Sequence, residues 1–219
     1  ENVNGEPRYV ADYYVTSGKK GSEKLSEGDQ KTPIGMYYIK SMLPKSKLTD
    51  FYGPVAYPLN YPNEWDRREG RDGHGIWLHG VPSDTYSRPP RASNGCVVLT
   101  NDDLLRLGKE VEVGVTPVII TNQMEWSDDQ SLADRDALLH EIEKWRADWA
   151  SLDTDSYLAH YASDFSSNGV SFSNWAQQKR QVNAGKSWIK VRLDNLSVFA
   201  YPGQPGLAVA DHLFPGGLD

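Results

Sequence analysis

The chain has 219 residues but a single cysteine, Cys96, so no internal disulfide can form and a paired Cys-x-x-Cys metal site is excluded with it. No His-Glu-x-x-His pattern is present. Asp72, His74, His79 and Cys96 could in principle furnish zinc ligands, but their spacing matches no zinc motif. Neither a metal nor a cofactor is expected. No run approaches the eighteen or so apolar residues of a membrane helix, and no basic n-region followed by an apolar h-region opens the chain. Positive charge is also scarce, with 23 Lys and Arg against 30 Asp and Glu for a net charge of −7. Residues 1–124 carry −1 of this and residues 125–219 carry −6. Neither part offers the basic face that phosphate contacts require, so nucleic acid is not an expected partner.

A hydrophobic content of 38% and an aromatic content of 11% suffice for a packed core. The length allows one large domain or two modest ones. Composition changes near Asn122–Gln130, which predicts a first domain over 1–124 and a second over 125–219. At the start, Asn4-Gly5 is a hairpin turn signal. The chain is expected to begin inside a hairpin, with a preceding strand and any export signal upstream of Glu1.

The first region reads as β-rich. Arg8–Thr16, Gly35–Lys40, Gly75–His79, Cys96–Thr100 and Val115–Thr121 are β-branched or aromatic runs separated by turn residues. Thr100 or Asn101 can cap a short helix that carries Asp102 and Asp103 in its first turn and buries Leu104, Leu105 and Leu107. Ser41–Gly73 has no period but holds Tyr52, Tyr57, Tyr61 and Trp65 among prolines. It is read either as a cleft wall or as core packing. The second region opens with a helical stripe over Ser131–Leu152 that includes Trp145 and Trp149. Helical segments near Thr154–Ala162 and Ser173–Asn183 follow, then strand patterns over Trp188–Val198 and Leu207–Phe214. His140 and His160 read as ordinary helix residues, and His212 follows Asp211 with no visible partner.

Chemistry gathers around Cys96. It lies in Ser93-Asn94-Gly95-Cys96-Val97, seventeen residues after the histidine of Trp77-Leu78-His79-Gly80. A thiol with an ordinary pKa is mostly protonated at neutral pH, so an acyl-transferring cysteine needs an imidazole to take its proton. His79 is the candidate. Gly95 lets the backbone come close to the reacting atoms, and N–H groups at Gly95 and Cys96 are candidate oxyanion donors. The plain alternative is a small hydrophobe at the start of a buried strand. The turn-rich loop 81–93 places the cysteine where a loop meets a strand, a frequent position for site residues.

The run from His79-Gly80 to Ser93-Asn94-Gly95-Cys96 resembles the signature of the L,D-transpeptidase catalytic domain of the YkuD type. Upstream, Ser17-Gly18-Lys19 and Gly28-Asp29-Gln30-Lys31-Thr32-Pro33-Ile34-Gly35 are similar to further elements of that family. Downstream, Asn101–Leu104 and Gly114–Ile120 resemble its closing helix and strand. The similarity covers about residues 8–121. It departs at Asn94, where a histidine usually stands, and at Val98, where an arginine is frequent. The resemblance implies a β-sandwich-like catalytic fold with short helices, Cys96 as nucleophile, His79 as base, and the Gly80 carbonyl as the group that orients the imidazole.

The second region resembles a small α+β cone of the nuclear transport factor two type. Such cones finish in long paired strands, so part of this sheet is expected to be missing or supplied elsewhere. The combined layout is similar to that of cell-shape L,D-carboxypeptidases. The implied substrate is the peptidoglycan stem peptide, and the implied location is the periplasm or cell wall. Cleavage of a tetrapeptide stem would pass through a thioester, with water giving an L,D-carboxypeptidase and an amine giving a 3-3 cross-linking L,D-transpeptidase. Trp77, Arg88, Arg91, Ser93 and Asn94 are the expected substrate-binding residues, and the guanidinium forks of Arg88 and Arg91 suit a carboxylate. A non-catalytic wall-binding protein is the remaining alternative.

Overall fold

In the computed structural model, which describes residues 2–3, 6–124, 129–167 and 169–213, β1 (Asn2–Val3) pairs antiparallel with β2 (Glu6–Pro7). The expected turn residues Asn4 and Gly5 lie outside the described residues. Arg8–Thr16 is not the strand its pattern predicts. Only Thr16 pairs, in a single bridge to Val98, while Tyr9, Val10, Tyr14 and Val15 are exposed. Tyr13 packs on the core and Thr16 is buried, but the remaining apolar side chains face solvent and the alternation has no sheet to join.

The buried strands follow the sequence more closely. β3 (Gly35–Tyr38) is nearly all buried and runs antiparallel to a strand near the end of the unit, Pro117–Ile120. β4 (Leu43–Pro44), β5 (Val55–Pro58), β6 (Trp77–His79) and β7 (Val97–Val98) form a four-stranded sheet in that order. Its β4–β5 and β5–β6 pairs are antiparallel and its β6–β7 pair is parallel. The bridge Ile39↔Leu59 ties the two ladders together. Tyr37, Ile39, Tyr57, Leu59, Tyr61 and Leu78 fill the space between them.

Short helices close the unit. α1 (Glu64–Arg68) has a capping box made by Asn63 and Asp66. α2 (Asn101–Leu107) is capped by Thr100, whose side chain accepts from the Asp103 N–H. Leu104 is fully buried under this helix, whereas Leu105, expected beside it, points to solvent. β8 (Pro117–Ile120) is the partner of β3. Within the long segment 41–73, Tyr57 and Tyr61 are core residues, and Phe51 and Tyr52 lie in a short 3-10 turn.

The chain divides into two units, Glu1–Met124 with Ala200–Leu207 and Glu125–Phe199 with Ala208–Asp219. Tyr201, 3% exposed, belongs to the first unit. There Asn63 Nδ2 donates to the Met36 carbonyl at 2.9 Å and to Tyr201 Oη at 3.1 Å.

The second unit contains α3 (Asp129–Ala150), α4 (Thr154–Leu158), the small pair β9 (Ser166–Ser167) and β10 (Val170–Ser171), α5 (Phe172–Ala184), and β11 (Asp194–Ala200) paired with β12 (Ala208–Leu213). Its core is aromatic. The buried Tyr157 ring meets Trp145, Trp149, Tyr161 and Trp175. Trp145 Nε1 donates to Tyr161 Oη, which donates to Tyr157 Oη, both at 2.8 Å. His140 is exposed on α3, and His160 contacts Asp148 at 2.7 Å. Both units are mixed α+β, with open sheets and short helices around the first.

Candidate active site

β6 and β7 pair parallel with Leu78 opposite Val97 and His79 opposite Val98. Side chains alternate along strands, so Trp77 and His79 share a face with Cys96 at the entrance to β7. The Leu99 N–H bonds the His79 carbonyl at 3.0 Å and locks this register.

His79 is 1% exposed. Its Nδ1 lies 2.7 Å from the Gly80 carbonyl oxygen. A carbonyl only accepts, so Nδ1 carries the proton and Nε2 keeps its lone pair. Burial lowers the imidazole pKa to about 4, opposed by the Gly80 carbonyl and assisted by the nearby Arg88 cation. The ring is therefore neutral at physiological pH. Tyr52 meets it edge-on at 5.0 Å and Phe51 lies 6.0 Å away, while Tyr52 also packs on Trp77. Gly80 is demanded by its neighbours. A Cβ there would overlap Asn101 Oδ1, which accepts from the Val81 N–H at 2.9 Å.

Cys96 is half-buried, and its Sγ donates to the Gly75 carbonyl at 3.3 Å. Burial raises the thiol pKa, while the Trp77 N–H and Arg88 work against that rise. With a lowered imidazole and a raised thiol, the resting pair is neutral imidazole and thiol rather than an ion pair.

The cysteine loop is held from below by the upstream motifs. Ser17 and Lys19 exchange backbone bonds with Ser93 at 3.0 and 2.8 Å. The Gly18 N–H donates to Thr32 Oγ1 at 2.8 Å, and that hydroxyl donates to the Gly95 carbonyl at 2.9 Å. Gly95 has φ +129°, and a Cβ on it would lie 2.8 Å from the Lys31 carbonyl oxygen. Asp29 folds the segment that carries Thr32. It binds Lys24 Nζ at 2.8 Å and accepts from the N–H groups of Leu25, Ser26 and Lys31. Burial pushes its carboxyl pKa up, but Lys24 and these N–H groups outweigh that and hold it well below the usual carboxylate range.

The Gly95 N–H is committed to Ser93 Oγ at 3.1 Å, and Ser93 Oγ in turn donates to the Cys96 carbonyl at 2.6 Å. Gly95 thus fits the loop by its shape, with its N–H directed at Ser93. Ser93 is 3% exposed and braces the loop through these two bonds.

The other expected site residues separate. Arg88 is half-buried, with Cζ 4.3 Å above the Phe51 ring and Nη2 3.3 Å from the Phe51 carbonyl. Arg91 and Asn94 are exposed, Arg91 in a turn with φ +54°. Asp72 accepts from the Glu27 N–H, and His74 lies 3.5 Å from the Glu27 carboxylate. Among the described residues no three His, Cys, Asp or Glu side chains gather as a metal site. Sequence reasoning missed Phe51, because an aromatic in an aperiodic stretch gives no signal of which group it will face.

The family model for the L,D-transpeptidase catalytic domain, YkuD, matches residues 3–120, and the Cds6 C-terminal NTF2-like domain matches residues 137–212. A search of curated protein sequences gives no match. Among solved structures, Bd1075 of Bdellovibrio bacteriovorus aligns with a TM-score of 0.71 at 30% identity, over 90% of this chain and 70% of that one. The helical cell shape determining protein Pgp2 from Campylobacter jejuni gives a TM-score of 0.67 at 26% identity, over 92% of this chain and 71% of that one. With residues 3–120 of its 219 in the YkuD match, the chain belongs to the L,D-transpeptidase catalytic-domain family and carries an NTF2-like domain after it.

Proposed function

We propose that the protein is a cysteine-dependent L,D-carboxypeptidase that trims tetrapeptide stems of peptidoglycan to tripeptides, acting in the periplasm or at the cell wall. The observation that carries this reading is the buried neutral imidazole of His79. Its Nδ1–H is fixed on Gly80, so Nε2 is presented as a base on the strand beside Cys96.

Nε2 takes the proton from Cys96 Sγ, and the thiolate attacks the carbonyl carbon of the L-centred third residue. Negative charge develops on the carbonyl oxygen, and the Cys96 N–H is the donor proposed for it, since the Gly95 N–H is already bonded. The tetrahedral intermediate collapses, the C–N bond breaks, and the departing D-alanine nitrogen receives the proton held by His79. Water deprotonated by the same imidazole then cleaves the thioester, which releases the tripeptide and regenerates the thiol. The two-domain layout, similar to that of a cell shape determining protein, supports trimming over cross-linking.

Incubation with purified disaccharide tetrapeptide, read by mass, tests the proposal. Tripeptide and free D-alanine are expected, and Cys96→Ala abolishes both. Cross-linked dimer in place of tripeptide would assign transpeptidation instead, and the absence of every product would overturn the reading.

A further inference from the structure

Arg88 is the charged group closest in its connections to both reacting side chains. It shares the Phe51 ring with His79, lying on it at 4.3 Å while the imidazole stands 6.0 Å from the same ring. Its field reaches His79 and Cys96, and a Cys96 thiolate acts back on it. Its backbone is tied to the strand that follows the cysteine. The Arg88 carbonyl accepts from Tyr14 Oη and Thr16 Oγ1, both at 3.0 Å, and Thr16 exchanges two backbone bonds with Val98 at 2.8 and 2.9 Å. Thr16 is 1% exposed, so this anchor is a buried one.

Among the described residues no carboxylate pairs with Arg88, whereas Arg67, Arg71, Arg106, Arg146 and Arg180 each have one. A half-buried guanidinium, held on a ring and a carbonyl and left without an anion, is a receptor for one brought by a ligand. Two bonds separate the scissile nitrogen of a terminal residue from its own carboxylate carbon. A cation beside the sulfur therefore meets that carboxylate only when the residue leaving is the last of its peptide.

We infer that Arg88 is a specificity residue that reads the free α-carboxylate of the leaving amino acid, which restricts cleavage to the bond one residue from the stem's C-terminus. A stem ending in D-alanyl-D-alanine places a neutral peptide group where that carboxylate belongs and is refused. After cleavage the carboxylate departs with D-alanine and vacates the space for water. Arg91 is exposed on a left-handed turn and shares no partner with His79 among the described residues, so the inference is confined to Arg88.

The inference rests on the reaction proposed above, and one set of substrates separates the two. The wild type, Arg88→Gln and Arg88→Lys are assayed on three stems: the tetrapeptide acid, its C-terminal amide, and the pentapeptide ending in D-alanyl-D-alanine. The wild type is expected to favour the acid over the amide by about 10- to 100-fold in kcat/KM, the range of a charge-assisted hydrogen bond. Arg88→Gln is expected to lose that preference, with the fall concentrated on the acid, and Arg88→Lys to recover part of it. Equal cleavage of acid and amide by the wild type, or an equal loss on both in Arg88→Gln, overturns the inference and leaves the peptidase reading intact. If the wild type cleaves none of the three, the proposed reaction fails. Alkylation of Cys96 then decides the Arg88 inference: protection by N-acetyl-D-alanine but not by its amide supports it, and equal effects of the two overturn it.

Discussion

The Gly80 carbonyl oxygen lies 2.7 Å from Nδ1 of His79, the residue immediately before it. A neighbour in sequence thus does the work that a distant carboxylate does in a Ser-His-Asp triad, and it adds no negative charge to stabilise an imidazolium. The ring is oriented but left hard to protonate. The proposed catalysis draws on a neutral base and a neutral thiol.

The pH dependence follows with a definite sign. His79 is held at about 4 in the fold, against about 6.5 in the unfolded chain, so between these values the unfolded state binds the extra proton. Stability is full above about pH 6.5 and falls as pH drops towards 4, by about 3 kcal/mol for this group. Denaturant unfolding of the wild type and His79→Gln across that window measures it, because the slope due to this residue disappears in the variant. In the proposed mechanism activity needs the neutral imidazole, so it should stay level from pH 7 to 5 and halve near 4. A midpoint near 6.5 would contradict the buried neutral ring.

Alkylation of Cys96 by iodoacetamide should be slow at neutral pH and should rise as pH passes above the ordinary thiol range, since burial raises this thiol. Rapid labelling at pH 6 would indicate a preformed thiolate–imidazolium pair and refute the neutral resting state.

Gly95→Ala should damage the site more than its size suggests. The new methyl group would lie 2.8 Å from the Lys31 carbonyl on a residue at φ +129°, which costs about 1–3 kcal/mol and shifts the adjoining thiol. A displacement on the scale of an ångström lowers turnover about 100-fold. Thermal unfolding and product formation report the two effects separately.

Thr32→Val keeps the shape of the side chain but removes the hydroxyl between the Gly18 N–H and the Gly95 carbonyl. Both backbone groups then stay buried without that partner, and the expected loss is about 2–4 kcal/mol. Thr32→Ser, which restores the hydroxyl, should recover most of the melting temperature.

Asp29→Asn tests the acid side of the same scaffold. The carboxylate is held below its ordinary range, so its contribution is present above about pH 4 and is lost as pH falls through its folded value. The variant should be less stable than the wild type at pH 7, and the gap should narrow on acidification. An unchanged gap at pH 2 would remove the charge from the explanation.

Much of this was legible before any coordinates. Glycines, a threonine and an aspartate at fixed spacing identified the motifs, and each proves to have a local reason: Gly80 yields to Asn101, Gly95 to Lys31, and Thr32 bridges two backbones. Burial explains why Gly35–Tyr38 and Trp77–His79 formed strands while Arg8–Val15, equally alternating, did not. Long-range partners were not legible. Nothing around Phe51 says that it will carry Arg88, and nothing around Gly95 says that its N–H will turn to Ser93.

Tyr201 lies 77 residues beyond Met124, yet its hydroxyl shares Asn63 with the Met36 carbonyl and its ring adjoins Trp65. A polypeptide ending at residue 124 would thus lack a plug the size of a tyrosine, exposing an indole and an amide that are now sheltered. The part of the chain that carries the thiol is, in this physical sense, finished only by residues made much later in synthesis.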